Sequence, residues 1–136
     1  MKLFGIGTDI VQINRFKKKS LNNNNFLKRL FSRSEITNCR RKINAKNCFA
    51  KRFAAKEAFS KALGTGISKG ISFNEIIVLN EKSGRPFIRL IGKTKKITEK
   101  KFKKKKYKIS VSLSDEKNYA VAFVTISWSK KKNYLN

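Results

Sequence analysis

Short runs of apolar residues, several of them alternating with polar ones, give this chain a pattern typical of β-strands. We expect strands at residues 2–13, 71–79, 86–91, 107–113 and 119–128. Turn-forming residues separate the second run from the third and the fourth from the fifth, which predicts two hairpins. Gly5 and Gly7 interrupt the first run, and residues without a side chain allow another backbone to approach closely.

A long stretch rich in alanine and phenylalanine, residues 45–63, predicts the main helix of the protein. Gly64 follows it at the position where helices commonly end. At about 100° per residue, the apolar side chains go almost all the way round this helix, as in helices that are buried on every side. Ser32 and Glu35 form a capping-box pattern, which predicts the start of a second helix and favours a purely local structural role.

The polar segments predict shorter helices, a loop and a C-terminal tail. We expect a short basic helix at 15–19 and a loop at 22–25. Residues 93–106 are nearly all lysine, which fits either a short amphipathic helix or a solvated arm. Residues 129–136 are expected to be a frayed basic tail. Together the patterns predict one α+β domain over residues 1–136, with an antiparallel sheet packed on a long central helix.

The composition adds a large excess of positive charge. Lysine and arginine number 34 against 8 acidic residues, which gives a formal net charge of +26. Such a protein attracts nucleic acids, anionic membranes, phosphorylated metabolites and acidic proteins, and the charge alone does not choose among them. We expect the lysine-rich run at 93–108 to be a solvated surface.

Two scarce residue types narrow the chemistry. The chain has no histidine, which excludes Ser-His-Asp and Cys-His sites, imidazole bases and His-containing metal sites. Its two cysteines, Cys39 and Cys48, are too few for a structural zinc site, and without an export signal they favour reduced thiols in a cytoplasmic protein. No apolar run approaches the roughly 18 residues that a membrane span needs.

Two acidic residues stand in apolar surroundings, where an unpaired carboxylate would be costly to bury. Asp9 lies within the first predicted strand, and Glu57 lies on the main helix with Lys61 one turn later. Taken alone, Glu57 and Lys61 favour an ordinary surface ion pair. Together with Asp9 they indicate a bound cation, and oxygen ligands without His or Cys select a hard ion such as magnesium beside substrate phosphates. The glycine-rich turn at 64–66 has N–H groups that could approach a phosphate, although this pattern is more often a helix stop.

Two segments resemble the signatures of bacterial holo-[acyl-carrier-protein] synthases, a family of 4'-phosphopantetheinyl transferases. The first is Gly-Ile-Gly-Thr-Asp-Ile-Val at residues 5–11, followed by Arg15. The second is a long match, Phe-Ala-Ala-Lys-Glu-Ala-Phe-Ser-Lys-Ala-Leu-Gly-Thr-Gly, at residues 53–66. Residues 84–86 and 112–120 are similar to the family's later hairpins, so the resemblance extends over nearly the whole chain.

The resemblance implies an enzyme that moves the 4'-phosphopantetheine group of coenzyme A to a serine of apo-acyl carrier protein. The other product would be 3',5'-ADP, and the reaction would support fatty acid biosynthesis. An α+β fold assembled as a cytoplasmic homotrimer is implied, with coenzyme A in clefts between neighbouring subunits. Asp9 and Glu57 would hold Mg²⁺ beside the pyrophosphate, and Lys61 would stabilise phosphoryl oxygens or the leaving group. The acceptor of the serine proton stays open between Glu57 and a metal-bound water.

Further residues are matched to coenzyme A on the same grounds. Arg52 and Lys56 are weaker candidates for contacts with its phosphates, together with Gly64 and Gly66. The resemblance is incomplete at Asp115, because many members carry histidine there. An acidic side chain would repel a nucleotide phosphate, so Asp115 is left out of the expected site.

Acyl carrier protein is small and strongly acidic, and the family meets it with a basic first helix. The basic residues expected to contact it here are Arg15, Lys18, Lys19, Lys28 and Arg29. For Lys18, Lys19 and Lys28 a merely solvated position is an equal alternative.

Two other functions stay open at this point. A basic nucleic-acid-binding module would account for the charge, but not for Asp9 and Glu57 in apolar surroundings. An inactive relative would bind coenzyme A or carrier protein without transferring anything, and the intact signatures argue against it.

Overall fold

The structure of the protein is a computed structural model that describes residues 1–103 and 105–131. The strands of this part of the chain are β1 (Lys2–Gln12), β2 (Ile76–Asn80), β3 (Pro86–Leu90), β4 (Lys105–Asp115) and β5 (Tyr119–Lys130). The α-helices are α1 (Lys18–Leu21), α2 (Asn24–Leu30), α3 (Arg33–Arg40), α4 (Ala45–Leu63) and α5 (Gly92–Phe102). One-turn 3-10 helices lie at Ile13–Phe16 and Phe73–Glu75.

The strands form two antiparallel sheets, and α4 packs on the larger one. That sheet has the order β1-β5-β4, and the smaller sheet pairs β2 with β3. The N-terminal strand therefore lies beside the C-terminal one, with Gln12 opposite Tyr119. This arrangement confirms the predicted α+β architecture, an antiparallel sheet packed on a long central helix, and both predicted hairpins.

The core of the protein is built around α4. Phe49, Phe59 and Leu63 on this helix are completely buried. Phe16 and Phe31, from the segments before α4, pack on Phe49 with ring centroids 6.3 Å and 5.0 Å away. The helix has the predicted limits and the predicted burial, and it ends at Gly64, whose φ of 89° is left-handed.

β1 crosses α4 at very short range because of its two glycines. A Cβ atom at Gly5 would collide with the carbonyl oxygen of Ala62, and one at Gly7 would collide with that of Ala58. The small residues on both elements therefore let the backbone of α4 lie directly against the strand. This contact sets the distance between the side chains that β1 and α4 present to each other.

The two faces of the larger sheet differ in exposure. The inner face contacts α4 and is buried at Ala120, Ala122, Val124 and Ile126. The outer apolar face consists of Ile6, Ile10, Val121 and Phe123, which are 59%, 64%, 37% and 45% exposed. Ile10 lies opposite Val121 in the β1–β5 register, so these side chains form one continuous patch.

The region before α3 differs from the predicted pattern. The loop expected at 22–25 is present only at residues 22 and 23, because Asn23 accepts a hydrogen bond from the Phe26 N–H and caps α2, which begins at Asn24. The basic helix expected at 15–19 is divided between the first 3-10 turn and α1. The capping box of Ser32 and Glu35 is confirmed.

The predicted second strand begins only at Ile76, because Phe73–Glu75 forms a 3-10 turn. That turn places the Glu75 carboxylate on the first amides of α5, 3.0 Å from the N–H nitrogen of Lys93 and 3.2 Å from that of Thr94. The carboxylate thereby satisfies N–H groups at the start of a helix whose own N-cap residue provides no side-chain acceptor. Residues 93–102 of the lysine-rich segment are thus helical, which was one of its two predicted forms, whereas Lys105 and Lys106 belong to β4.

The C-terminal tail starts later than expected. Ser129 and Lys130 belong to β5, so the frayed tail predicted over 129–136 is wrong at its beginning. Residues 132–136 lie outside the described part of the chain.

The cysteines contradict the prediction of reduced thiols. Cys39 at the end of α3 and Cys48 at the start of α4 form a disulfide, with their Cα atoms 5.5 Å apart. Sequence separation and compartment arguments did not show that the α3–α4 turn brings the two residues together. Among the described helices, none combines the length and the apolar character that crossing a bilayer requires.

Candidate active site

The candidate site lies where the second half of β1 faces α4. Asp9 is on the inner face of the sheet, opposite Ala122, and only 17% of its side chain is exposed. Lys61 reaches it from α4, with its Nζ 3.2 Å from Asp9 Oδ1 and 3.0 Å from the carbonyl oxygen of Thr8. The fold therefore brings Asp9 and Lys61 into contact across 52 residues of sequence.

Glu57 joins the same site from one turn earlier on α4. Burial, followed by the negative charge of nearby Asp9, raises the pKa of the Glu57 carboxyl above its ordinary value, whereas Lys61 and Arg15 oppose that shift. The two carboxylates thus lie close enough to repel each other. A cation bound between two such carboxylates would reduce their mutual repulsion, in addition to the effect of the nearby basic groups.

Arg15 forms the open edge of the site. Its guanidinium stacks on the ring of Phe53, 4.9 Å from the ring centroid. An open groove of about 440 Å³ begins there, lined by Ile10, Val11, Gln12, Asn14 and Arg15. A phosphorylated ligand in this groove would meet Arg15, whose positive charge also acts on the Glu57 carboxyl.

The donor set fits a magnesium ion. Mg²⁺ commonly uses one or two protein carboxylates and completes its shell with water and substrate phosphates. Asp9 and Glu57 supply two such carboxylates, which are near enough for Asp9 to act on the Glu57 carboxyl. No group of three or more Cys, Asp or Glu residues gathers within residues 1–103 and 105–131, so these two carboxylates do not belong to a larger ligand cluster there.

Lys56 does not fit the predicted contact with a coenzyme A phosphate. Its side chain is completely buried, and its Nζ lies 2.7 Å from Glu35 Oε1 and 2.9 Å from the carbonyl oxygen of Phe73. Burial lowers the pKa of the Lys56 ammonium to about 8, against the opposing effect of Glu35. The prediction for Lys56 is therefore corrected: this lysine belongs to the interior.

The Arg52 guanidinium is also engaged in hydrogen bonds within the protein. It is 2% exposed, and its Nη2 lies 2.6 Å from Asn38 Oδ1 and 3.3 Å from Asn80 Oδ1. It borders a cavity of about 190 Å³ together with Asp115, which binds Asn47 and Lys51. A role for Arg52 with coenzyme A stays a prediction.

The turn after α4 is a helix stop, as the more common of its two interpretations has it. The N–H groups of Gly64, Thr65 and Gly66 all donate to the carbonyl oxygen of Ser60. These amides are engaged in capping, and the C-terminal end of a helix carries partial negative charge. The Gly64 and Gly66 amides are thus already bonded within the turn, and a role for these two residues with coenzyme A stays a prediction.

The residues predicted to meet the carrier protein are all exposed. Lys18 and Lys19 lie on α1, Lys28 and Arg29 lie on α2, and Arg15 lies on the preceding 3-10 turn. They extend from the edge of the candidate site onto the neighbouring helices.

The sequence interpretation missed the buried partner of Lys56. Glu35 was taken as a local cap, and it does cap α3, but the same carboxylate also binds Lys56 on α4. The available signal was a lysine inside a helix that is apolar all round, because such a charge needs an acidic partner somewhere in the fold.

Comparison with known proteins gives matches over most of the chain. The sequence model of the 4'-phosphopantetheinyl transferase superfamily matches residues 5–124. A holo-[acyl-carrier-protein] synthase from Pelagibacter ubique is 49% identical over 126 residues, which cover 93% of this chain and 98% of that protein.

Two solved structures have the same arrangement of elements. The crystal structure of holo-[acyl-carrier-protein] synthase from Neisseria meningitidis is similar with a TM-score of 0.81 and 34% identity, covering 92% of this chain and 98% of that one. A holo-(acyl-carrier-protein) synthase from Bacillus anthracis, solved in complex with CoA (3',5'-ADP), is similar with a TM-score of 0.74 and 32% identity, covering 93% and 98%.

Proposed function

The chain belongs to the 4'-phosphopantetheinyl transferase superfamily, and on that premise we propose that it transfers the 4'-phosphopantetheine group of coenzyme A to a serine of apo-acyl carrier protein. The phosphopantetheinyl transferase fold expected from the sequence is confirmed. The observation that carries the proposal is the convergence of Asp9, Glu57 and Lys61 where β1 meets α4, each from a signature segment. The products are the holo-carrier protein, for fatty acid biosynthesis, and 3',5'-ADP.

Asp9 and Glu57 are the residues that would hold Mg²⁺, since they are the two carboxylates of the site. When bound, the ion supplies charge neutralisation at the pyrophosphate of coenzyme A. Two acidic side chains alone would repel a polyphosphate, so the carboxylate pair needs a cation before the substrate can approach.

Lys61 and Arg15 act on the substrate directly in this proposal. The Lys61 ammonium is half exposed and can turn from Asp9 towards a phosphoryl oxygen, where it offsets the charge that develops as the bond to 3',5'-ADP breaks. Arg15 borders the groove at which the carrier-protein serine arrives. The serine oxygen forms the new bond to the β-phosphorus, and its proton passes to Glu57 or to water.

The exposed basic residues beside the groove are proposed to receive the acidic carrier protein. Arg15, Lys18, Lys19, Lys28 and Arg29 would raise the rate of association more than the final affinity, because charge steering acts at a distance. The effect falls as salt is added.

A homotrimer is proposed for the assembled protein, with each chain as a single domain. The support within the structure is the outer apolar face, because an exposed patch of several large apolar residues is typical of an interaction surface. A cytoplasmic location is also proposed, from family resemblance, since the disulfide removes the reduced thiols as a reason for it.

Phe123→Asp is expected to convert the trimer into monomers, because it places a charge in the middle of the outer apolar face. Light scattering after size exclusion measures the mass. Ile43→Asp is the matched control, since Ile43 is fully exposed and lies in the turn before α4. A wild-type protein that elutes as a monomer, or a trimer that survives Phe123→Asp, contradicts the assignment of this face.

Purified protein with Mg²⁺, coenzyme A and apo-acyl carrier protein is expected to add one phosphopantetheine group per carrier protein, as measured by mass spectrometry. Chelation of divalent ions is expected to stop the reaction. No mass gain with a carrier protein that another transferase modifies rejects the proposal. Nucleic-acid binding that discriminates between sequences at physiological salt would favour the alternative, whereas weak and salt-sensitive binding reflects only the net charge of +26.

A further inference from the structure

The side of α4 that points away from β1 carries a buried ion pair with no role in the transfer described above. Lys56 precedes Glu57 in the sequence, and both the Lys56 and the Glu35 side chains are 0% exposed. Their charged groups are 2.7 Å apart, and the Lys56 ammonium also donates to the carbonyl oxygen of Phe73. Removing two charges from water is costly, and such pairs contribute little net stability compared with apolar residues of similar size.

Glu35 connects this pair to two further elements. Its Oε1 accepts hydrogen bonds from the N–H and the hydroxyl of Ser32, at the start of α3. Its Oε2 accepts from the N–H of Val78, 3.1 Å away in the middle of β2. One carboxylate therefore joins α3, α4 and the smaller sheet by bonds of fixed direction.

Arg52, one turn earlier on α4, adds further hydrogen bonds between α4 and its neighbours. Its guanidinium donates to Asn38 on α3 and to Asn80 at the end of β2. Its Nη1 also lies 3.4 Å from the backbone carbonyl oxygen of Glu35. Both basic residues thus bind α3 from successive turns of α4; Arg52 also binds the end of β2, and Lys56 also binds the 3-10 turn at Phe73.

Apart from the close approach to β1, the apolar surface of α4 supplies few contacts of fixed direction that would set the rotation of this helix. Alanine and phenylalanine surround it on nearly every side, and apolar packing has little directional preference. Glu57 and Lys61 are useful only when they face Asp9, and a displacement of about 1 Å at a reacting group can cost on the order of 100-fold in rate. A directional contact at Lys56 constrains the adjacent residue, Glu57, most closely.

We propose that the Glu35–Lys56 pair is a positioning device, which fixes the rotation and the axial placement of α4 so that Glu57 and Lys61 face Asp9. This inference rests on the proposed function for its kinetic readout. Neither residue touches the substrate groove, so both are positioning residues rather than catalytic ones.

The main test replaces both charges by apolar groups of similar size, in the double variant Glu35→Leu/Lys56→Met. Its melting temperature is expected to stay close to that of the wild type, because no charge is left buried without a partner. The kcat is expected to fall by about 10- to 100-fold, with the KM for coenzyme A nearly unchanged, since the groove itself is intact. The matched control is Glu99→Leu/Lys95→Met, which removes an exposed pair with a separation of 3.9 Å on α5 and should leave kcat as it is.

A folded double variant with wild-type kcat overturns the inference. If the double variant does not fold, Glu35→Asp decides, because it keeps both charges and shortens the carboxylate arm by one methylene group. A several-fold loss of kcat in folded Glu35→Asp supports positioning, and an unchanged kcat overturns it.

A second readout separates this inference from the proposed function. The backbone amide signals of Gly7 and Ala58 report how α4 lies on β1, because these two residues are in direct contact. They are expected to shift in the double variant and not in the α5 control. A wild-type protein without transferase activity rejects the proposed function alone, and these amide signals then decide whether the pair positions α4.

Discussion

Asp9→Asn and Glu57→Gln are each expected to lower kcat for phosphopantetheine transfer by about 10²- to 10⁴-fold. Each substitution removes one of the two carboxylates proposed to hold Mg²⁺, and charge stabilisation of this kind is worth several kcal/mol at the transition state. The fold should be unaffected, because Asn and Gln keep the shape of the side chain. Glu57→Gln also removes the repulsion between the two carboxylates.

Calorimetric titration with Mg²⁺ in the presence of coenzyme A gives a readout besides activity, and both variants are expected to bind the ion more weakly. Glu99→Gln is the matched control, because Glu99 is exposed on α5, where it pairs with Lys95. Full activity in both Asp9→Asn and Glu57→Gln would discard the metal assignment. If the carboxylate variants lose both activity and the folded state, Lys61→Met is the alternative variant with which to test the same site.

Gly7→Ala is expected to lower the free energy of unfolding by about 3 kcal/mol or more. The added Cβ would overlap the carbonyl oxygen of Ala58, which belongs to the backbone of a buried helix and cannot turn aside. β1 and α4 would have to separate, and Asp9 would move away from Glu57 and Lys61. Chemical denaturation measures the stability, and the transfer assay measures the loss of the site.

The control for this substitution is Gly84→Ala. Gly84 has a φ of 92° in the β2–β3 turn, and a Cβ added there would meet no atom within 4 Å, so only the backbone strain of about 1–2 kcal/mol applies. If Gly7→Ala is no more destabilising than Gly84→Ala, the close approach of α4 to β1 is not the reason for the glycine.

The sequence predicted those elements whose signals are local. α4 has its predicted limits because alanine, phenylalanine and a terminal glycine all favour the same structure. The 3-10 turn at Phe73–Glu75 was not predicted, because it is associated with a distant contact. The Glu75 carboxylate binds the first amides of α5, which begins only at Gly92. The asparagine run was misinterpreted because asparagine favours both loops and helix caps.

The sequence predicted those site residues that are charged but lie within apolar segments. Asp9 and Glu57 were recognised because carboxylates are costly in apolar segments, and the structure brings both to Lys61. Lys56 was misassigned, because no local pattern indicates which way a side chain points from a helix that is apolar all round. Its partner, Glu35, is 21 residues away, and only the tertiary fold brings the two together.

The pairing of β1 with β5 has a consequence for how the protein is made. Asp9 leaves the ribosome long before the strand that flanks it, Tyr119–Lys130, has been synthesised. Sheets whose neighbours are so distant in sequence form slowly, because a long chain segment must be ordered before the contact is gained. The nascent chain therefore acquires its carboxylate pair in final form only after the residues of β5 have been added.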